Sequence, residues 1–325
     1  MYTGHTQQGE IRMHDESGAF IRTVGRHGEG PGEFDRVGQM AIVGDTLWVL
    51  DHGQYRFSYF DLAGNYLGSE RIPIDFGDSP TEEPLRPTSR LPDGTIVGSP
   101  GAPSSRVASG ELTDSYIATM DAGGNVRDTI AWYSFGHSTW EIADRSEKRS
   151  FGMYRRQPFS DSERLSISKY DATAVRVNFD PAPEDAVPRI TVTSWRIGGD
   201  TVFDRAYAYE PIPLRTAMVD SIIDSFAQSD FLRGRVTPAN AERWAREGLY
   251  LPEYHPPVSA VVIAQDGRLW LRAEELGEPM VTWRILSNDG SPAGTVELPK
   301  GFAMMFAQDS RSGAWNSESS MYRRS

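Results

Sequence analysis

The sequence predicts an all-β fold of the propeller class, built from four-stranded antiparallel blades, and three observations carry that expectation. Alternating apolar runs recur on both sides of D-x-x-G turns, a second set of tighter hairpins interleaves with them, and helical periodicity is confined to one stretch. The D-x-x-G turns fall at Asp15–Gly18, Asp61–Gly64 and Asp121–Gly124, with a variant at Asn288-Asp289-Gly290. Such turns suit hairpins because glycine supplies positive φ and aspartate bonds its own backbone. The tighter hairpins turn at Gly44-Asp45, Asp93-Gly94 and Asp266-Gly267.

Taken in chain order, the first hairpin spans 10–24 and offers only two strands. Blade two covers 39–72 and blade three about 87–131. Blade four is least regular, with its clearest pair at 189–197 and 201–209. Blade five covers 258–298, and a sixth begins at Phe302 with three strands. Six blades need roughly 24 strands, and this count falls about three short, so the first blade is expected to be incomplete. One segment breaks the pattern. Met218, Val219, Ile222, Ile223 and Phe226 share a helical face. Thr237-Pro238 opens a second helix, with threonine as N-cap, and Gly248 lies beyond its end. The chain thus reads as a single domain, 1–325, with a helical insertion at 214–257 between blades four and five. Its apolar faces are expected to pack on the propeller rim or to form a lid over a pocket.

Composition narrows the function classes. The net charge of −12 disfavours nucleic acid as a partner. No run of 18 apolar residues exists, so no membrane span is expected. Absence of cysteine excludes disulfides, thiolate metal sites and a cysteine nucleophile. The polar opening MYTGHTQQGEIRMHDE is not a signal peptide, which implies a cytoplasmic chain or a start that lies further upstream. G-x-S-x-G, P-loop, H-E-x-x-H and Rossmann patterns are absent.

The stretch GRHGEGPGEF, residues 25–34, resembles the blade-to-blade linker of the NHL-like six-bladed propellers of bacteria. The following VLDHGQYRFSYFDLAGNYL is similar to their repeat, with Asp51, Arg56 and Asp61 on its recurring positions. Residues 249–272 resemble the entry to a late blade. The resemblance implies a six-bladed ring and an extracytoplasmic home, periplasmic or secreted. It implies no single chemistry, since ring-shaped relatives include lyases, lactonases and protein-binding modules.

Loop lengths point to one face. First-to-second and third-to-fourth strand turns are tight, whereas the connections at 25–36, 99–114, 132–159, 214–257 and 273–279 are long and fall together on the other side of the disc. The candidate binding residues there are Asp51, His52, Trp140, Tyr254, His255 and Arg272, with His137 beside them. Each also has a structural reading: Asp51 bonding nearby backbone or Arg56, His255 packed among the prolines of EYHPP, Arg272 paired with Glu274 or Glu275. Trp132, Tyr133 and Trp140 would suit a recognition surface if exposed. His52, His137 and His255 are the histidines that a divalent metal would use. The leading expectation is a monomeric, non-catalytic propeller without cofactor that binds a protein, peptide or glycan. The alternative is a metal-dependent lyase or lactonase-type hydrolase at the channel mouth.

Overall fold

A computed structural model describes residues 2–5, 9–15, 17–74, 83–146, 151–180, 187–273, 279–299, 302–308 and 311–316. Its strands form a β-propeller of four-stranded antiparallel blades. Blade two comprises β5 (Val37–Val43), β6 (Thr46–Asp51), β7 (Arg56–Asp61) and β8 (Tyr66–Arg71), hydrogen-bonded in chain order. Blade three is β9 (Leu85–Arg90), β10 (Ile96–Pro100), β11 (Asp114–Met120) and β12 (Val126–Ser134). Blade four is β15 (Arg164–Ile167), β16 (Thr173–Asp180), β17 (Arg189–Arg196) and β18 (Thr201–Ala208). Blade five is β19 (Ala260–Ile263), β20 (Leu269–Ala273), β21 (Met280–Leu286) and β22 (Pro292–Pro299). A pair, β23 (Phe302–Gln308) with β24 (Arg311–Asn316), follows, and β23 lies beside the inner strand β19. A third strand expected there falls outside the described residues.

The first blade has more than the expected two strands. β1 (Tyr2–His5) pairs with β2 (Glu10–His14), Tyr2 opposite Met13, and β2 pairs with β3 (Phe20–His27). The short β4 (Glu33–Phe34) then runs parallel to β3. The sequence hides β1 because YTGH is short and carries little alternation. What places it is tertiary: Tyr2 is buried in one cluster with Ile11, Phe34, Val37 and Leu47.

Alternation explains how blades stack. Every residue of β6 after Thr46 is buried. Leu47 and Val49 face the cluster shared with the first blade, whereas Trp48 and Leu50 face the cluster shared with blade three. In blade five, Leu269 and Leu271 pack toward blade four, and Trp270 points to the opposite side. A period-2 strand buried on both faces has no polar side, which is why central blade strands are nearly all apolar. The D-x-x-G turns close the outer hairpins as expected. Asp61 accepts the Asn65 amide at 2.8 Å and Asp121 accepts those of Gly123 and Asn125, while Gly64 and Gly124 sit at φ +80° and +85°.

Two departures matter for function. Residues 132–159 are not one loop: β12 continues to Ser134, and β13 (Thr139–Ala143) forms a hairpin with β14 (Gly152–Arg156). A short helix, α1 (Ser104–Ala108), lies in the connection between β10 and β11. Between β18 and β19 lie α2 (Thr216–Ala227) and α3 (Pro238–Gly248). Thr237 stands at the N-cap position of α3 without a side-chain capping bond, Pro238 opens the helix, and Gly248 is its last residue rather than lying past it. No helix among the described residues is long and apolar enough to cross a membrane.

Candidate functional site

The long connections do more than cover the blades: two of them share a core, and α1 from a third lies against β13. Trp140 and Ile142 of β13, together with Phe159, are buried in one cluster with Val219, Ile223 and Phe226 of α2 and Ala241, Trp244 and Ala245 of α3. The apolar faces of the two helices therefore rest on a hairpin from a different connection. Trp140 Nε1 donates to the Ala245 carbonyl at 2.9 Å, satisfying the indole inside the cluster. At Gly248 a Cβ would come within 1.8 Å of the Glu141 carbonyl oxygen, so glycine permits the close approach of α3 to β13. Gln157 fixes the helix end. Its Nε2 donates to the Gly248 carbonyl at 2.9 Å, and its Oε1 accepts the Tyr250 amide at 3.1 Å.

At the edge of this platform, three residues far apart in sequence form a polar group. Asp161 accepts from the Tyr250 hydroxyl at 2.8 Å and lies 3.0 Å from His137 Nδ1. The His137 amide also donates to it, at 3.2 Å. The imidazole stacks on the Tyr250 ring at 3.6 Å and 5°. Burial opposes ionisation of Asp161, but the bonds from His137 and Tyr250 outweigh it and hold the carboxyl below its usual range. Burial, reinforced by the Asp161 contact, pushes the Tyr250 phenol up to about 12. At neutral pH the group is a carboxylate, a phenol that stays a donor, and a histidine oriented through Nδ1. Such a ring is fixed for hydrogen bonding or proton exchange through its other nitrogen. One face of the ring is covered by Tyr250, and the side chain as a whole is 55% exposed.

The residues singled out from sequence do not all gather here. Asp51 is fully buried, and its carboxylate accepts the backbone amides of Asp35, Arg36 and Gly53 at 2.9–3.0 Å and Gln54 Nε2 at 2.9 Å. It ties the 25–36 linker to the β6–β7 turn, while Arg56 bonds the linker carbonyls of Glu29 and Gly30. His52 donates its amide to the Arg36 carbonyl, and its ring lies against Gly38. Burial, then the nearby Arg36, lowers its pKa. Trp140 is buried beneath the helices. His255 is buried edge-on to Phe159 at 6.0 Å. Tyr254 is 40% exposed. Arg272, on β20, pairs with Ala260 and accepts the Ser259 amide through its carbonyl. Glu274 and Glu275 lie outside the described residues. His52 and His255 thus have different surroundings, and no three His, Cys, Asp or Glu side chains among the described residues are grouped to hold a metal ion.

Of the three aromatics considered together, Trp132 is 62% exposed on β12, beside Tyr116 at 5.0 Å. Tyr133 is half-buried against Phe135. Asp161 and Tyr250 gave no sequence signal, since they stand 24 and 113 residues from His137 and only the folded platform joins them.

A family described as a 6-bladed beta-propeller matches residues 5–83. No curated protein matches the chain. Among solved structures, a member of the duf4221 family from Bacteroides vulgatus is 11% identical, with a TM-score of 0.41, covering 90% of this chain and 76% of that one. A candidate exported protein from Bacteroides fragilis is 14% identical at TM-score 0.37, over 90% of this chain and 66% of that one, just under two thirds of its length. A streptogramin B lyase is 10% identical at TM-score 0.34, over 92% and 78%. At these identities the likeness transfers no site and no activity, and the propeller stands on its own strand order.

Proposed function

We propose that the chain is a six-bladed, NHL-like binding propeller that engages a protein, peptide or glycan through its long-loop face. One observation carries this reading: α1, the β13–β14 hairpin and the α2–α3 pair all arise from connections on the same side of the disc, and the hairpin and helices share a buried core of their own. An ordered platform built from insertions is how a rigid scaffold presents recognition residues. Its surface carries large apolar side chains, Tyr154, Phe231, Leu251 and Tyr254, with Trp132 on the adjoining strand, all at least 40% exposed. His52, His137, His255 and Arg272 belong to the same side, with Asp51 and Trp140 supporting it from beneath. The resemblance in the 25–34 linker supports an extracytoplasmic home.

The test is a screen of the purified protein on glycan arrays and displayed peptide libraries, repeated with Trp132→Ala/Tyr254→Ala. A selective ligand whose affinity falls at least tenfold in the double variant, with unchanged circular dichroism, supports the reading. The alternative, a metal-dependent lyase or lactonase, is favoured instead by about one divalent ion per chain in plasma mass spectrometry together with chelator-sensitive turnover.

A further inference from the structure

The chain holds only three lysines, at 148, 169 and 300, against thirty arginines. Lys148 and Lys300 lie outside the described residues, so Lys169 is the one lysine among them. It stands in the turn between β15 and β16 and lines a cavity of about 310 Å³ at the centre of the ring. The cavity is walled by residues of four inner strands, β5, β9, β15 and β19, and extends to Ser99 and Ile117 of blade three. Lys169 Nζ reaches across to blade two, donating to the Met40 carbonyl at 3.3 Å and lying 6.0 Å from the centre of the Trp48 ring.

Among the described residues, no carboxylate lines the cavity with it. The cavity wall contains no acidic residue, and none of the six inner strands β1, β5, β9, β15, β19 and β23 carries Asp or Glu. In a chain of net charge −12 that is a local inversion of sign. The acidic residues flanking the turn are engaged elsewhere, Asp171 with Arg196 at 2.9 Å and Glu163 with Arg176 at 2.7 Å. Enclosure alone lowers the Lys169 pKa to about 8, which leaves the ammonium mostly protonated at neutral pH. The other titratable group in the wall, Tyr170, is raised by burial and stays neutral. An arginine could not be deprotonated in such a place, whereas a lysine is a compact charge whose protonation responds to its surroundings.

The geometry points to a ligand site in the central cavity for a small organic monocarboxylate, its head group paired with the Lys169 ammonium. Enclosed charges are normally paired, and here the wall leaves the partner to be supplied by a ligand. Gln39, Thr88 and Ser166 bring hydrogen-bonding groups to the wall, while Ile167 and the β19 run Val261–Ile263 bring apolar ones for the body of the ligand. A phosphate or other dianion fits less well, because the inner-strand arginines are committed: Arg90 pairs with Glu70, Arg86 with Glu83, and Arg164 donates to the backbone carbonyls of Ser160 and Ser162. The site lies inside the ring and is independent of the binding platform above it.

Because an anion stabilises the protonated amine, binding must raise the Lys169 pKa, and affinity must fall about tenfold per pH unit above that value. Protein made with 13Cε-labelled lysine gives three lysine signals, and Lys169→Arg identifies the one to follow. The expected result is a Lys169 signal that titrates near 8 without ligand and about one unit higher in acetate, butyrate or benzoate at tenfold excess over Kd, while the other two signals stay put. The same carboxylates should raise Tm in the parent protein and not in Lys169→Met. A Lys169 signal titrating near 10.4 without ligand, or one unmoved by every carboxylate at tens of millimolar, overturns the proposal. A shift produced by inorganic phosphate alone overturns the carboxylate assignment. The wild-type titration decides the matter even where Lys169→Met fails to fold.

Discussion

At the scale of single residues, Asp51 shows how one side chain can look functional and be structural at once. It stands next to a histidine on the elaborated face, yet its oxygens are filled by amides of the linker and of its own turn. Asp51→Ala strands those donors in a buried place, and equilibrium urea unfolding should show a loss of about 3 kcal/mol. His52 behaves differently. Its folded pKa lies below the unfolded value of about 6.5, so unfolding takes up a proton in the interval between them. Stability therefore falls as pH drops below that unfolded value. His52→Gln should show a smaller drop in Tm between pH 7.5 and 5.5 than the parent protein. Asp51 and His52 were legible because they end the short apolar run TLWVL at a turn. Lys169 was not, because SISKY has no motif, and its singularity comes from what the ring places opposite it.

At the scale of elements, sequence reading worked where the period was regular and the turn chemistry explicit. The hairpins around Gly44-Asp45, Asp93-Gly94 and Asp266-Gly267 are strand pairs in the structure. It missed the β13–β14 hairpin because TWEIA has only two large apolar residues, Trp140 and Ile142, and both are explained by helices about a hundred residues away. The same contact predicts what breaks the platform. Trp140→Ala removes a buried indole and its bond to Ala245, which should cost the platform about 3–5 kcal/mol. Faster amide exchange confined to α2, α3 and the hairpin, with the blade strands unchanged, would be the sign of that loss.

At the scale of the whole molecule, the propeller was readable from repetition, and its asymmetry from loop length. The channel chemistry was not, because each inner strand contributes only one to three residues to the wall and the ring alone brings them together. One contact has a consequence for the ring itself. Residues 156–161 lead into blade four, and residues 248–259 lead out of it toward blade five. The two stretches hold each other through Gln157 with Gly248, Asp161 with Tyr250, and Arg156 with the Ser259 carbonyl. Blade four is therefore buckled at its own entrance and exit, like a strap passed through a clasp. Under load or heat this blade has to come undone as a unit, and the seams that part first lie elsewhere in the ring.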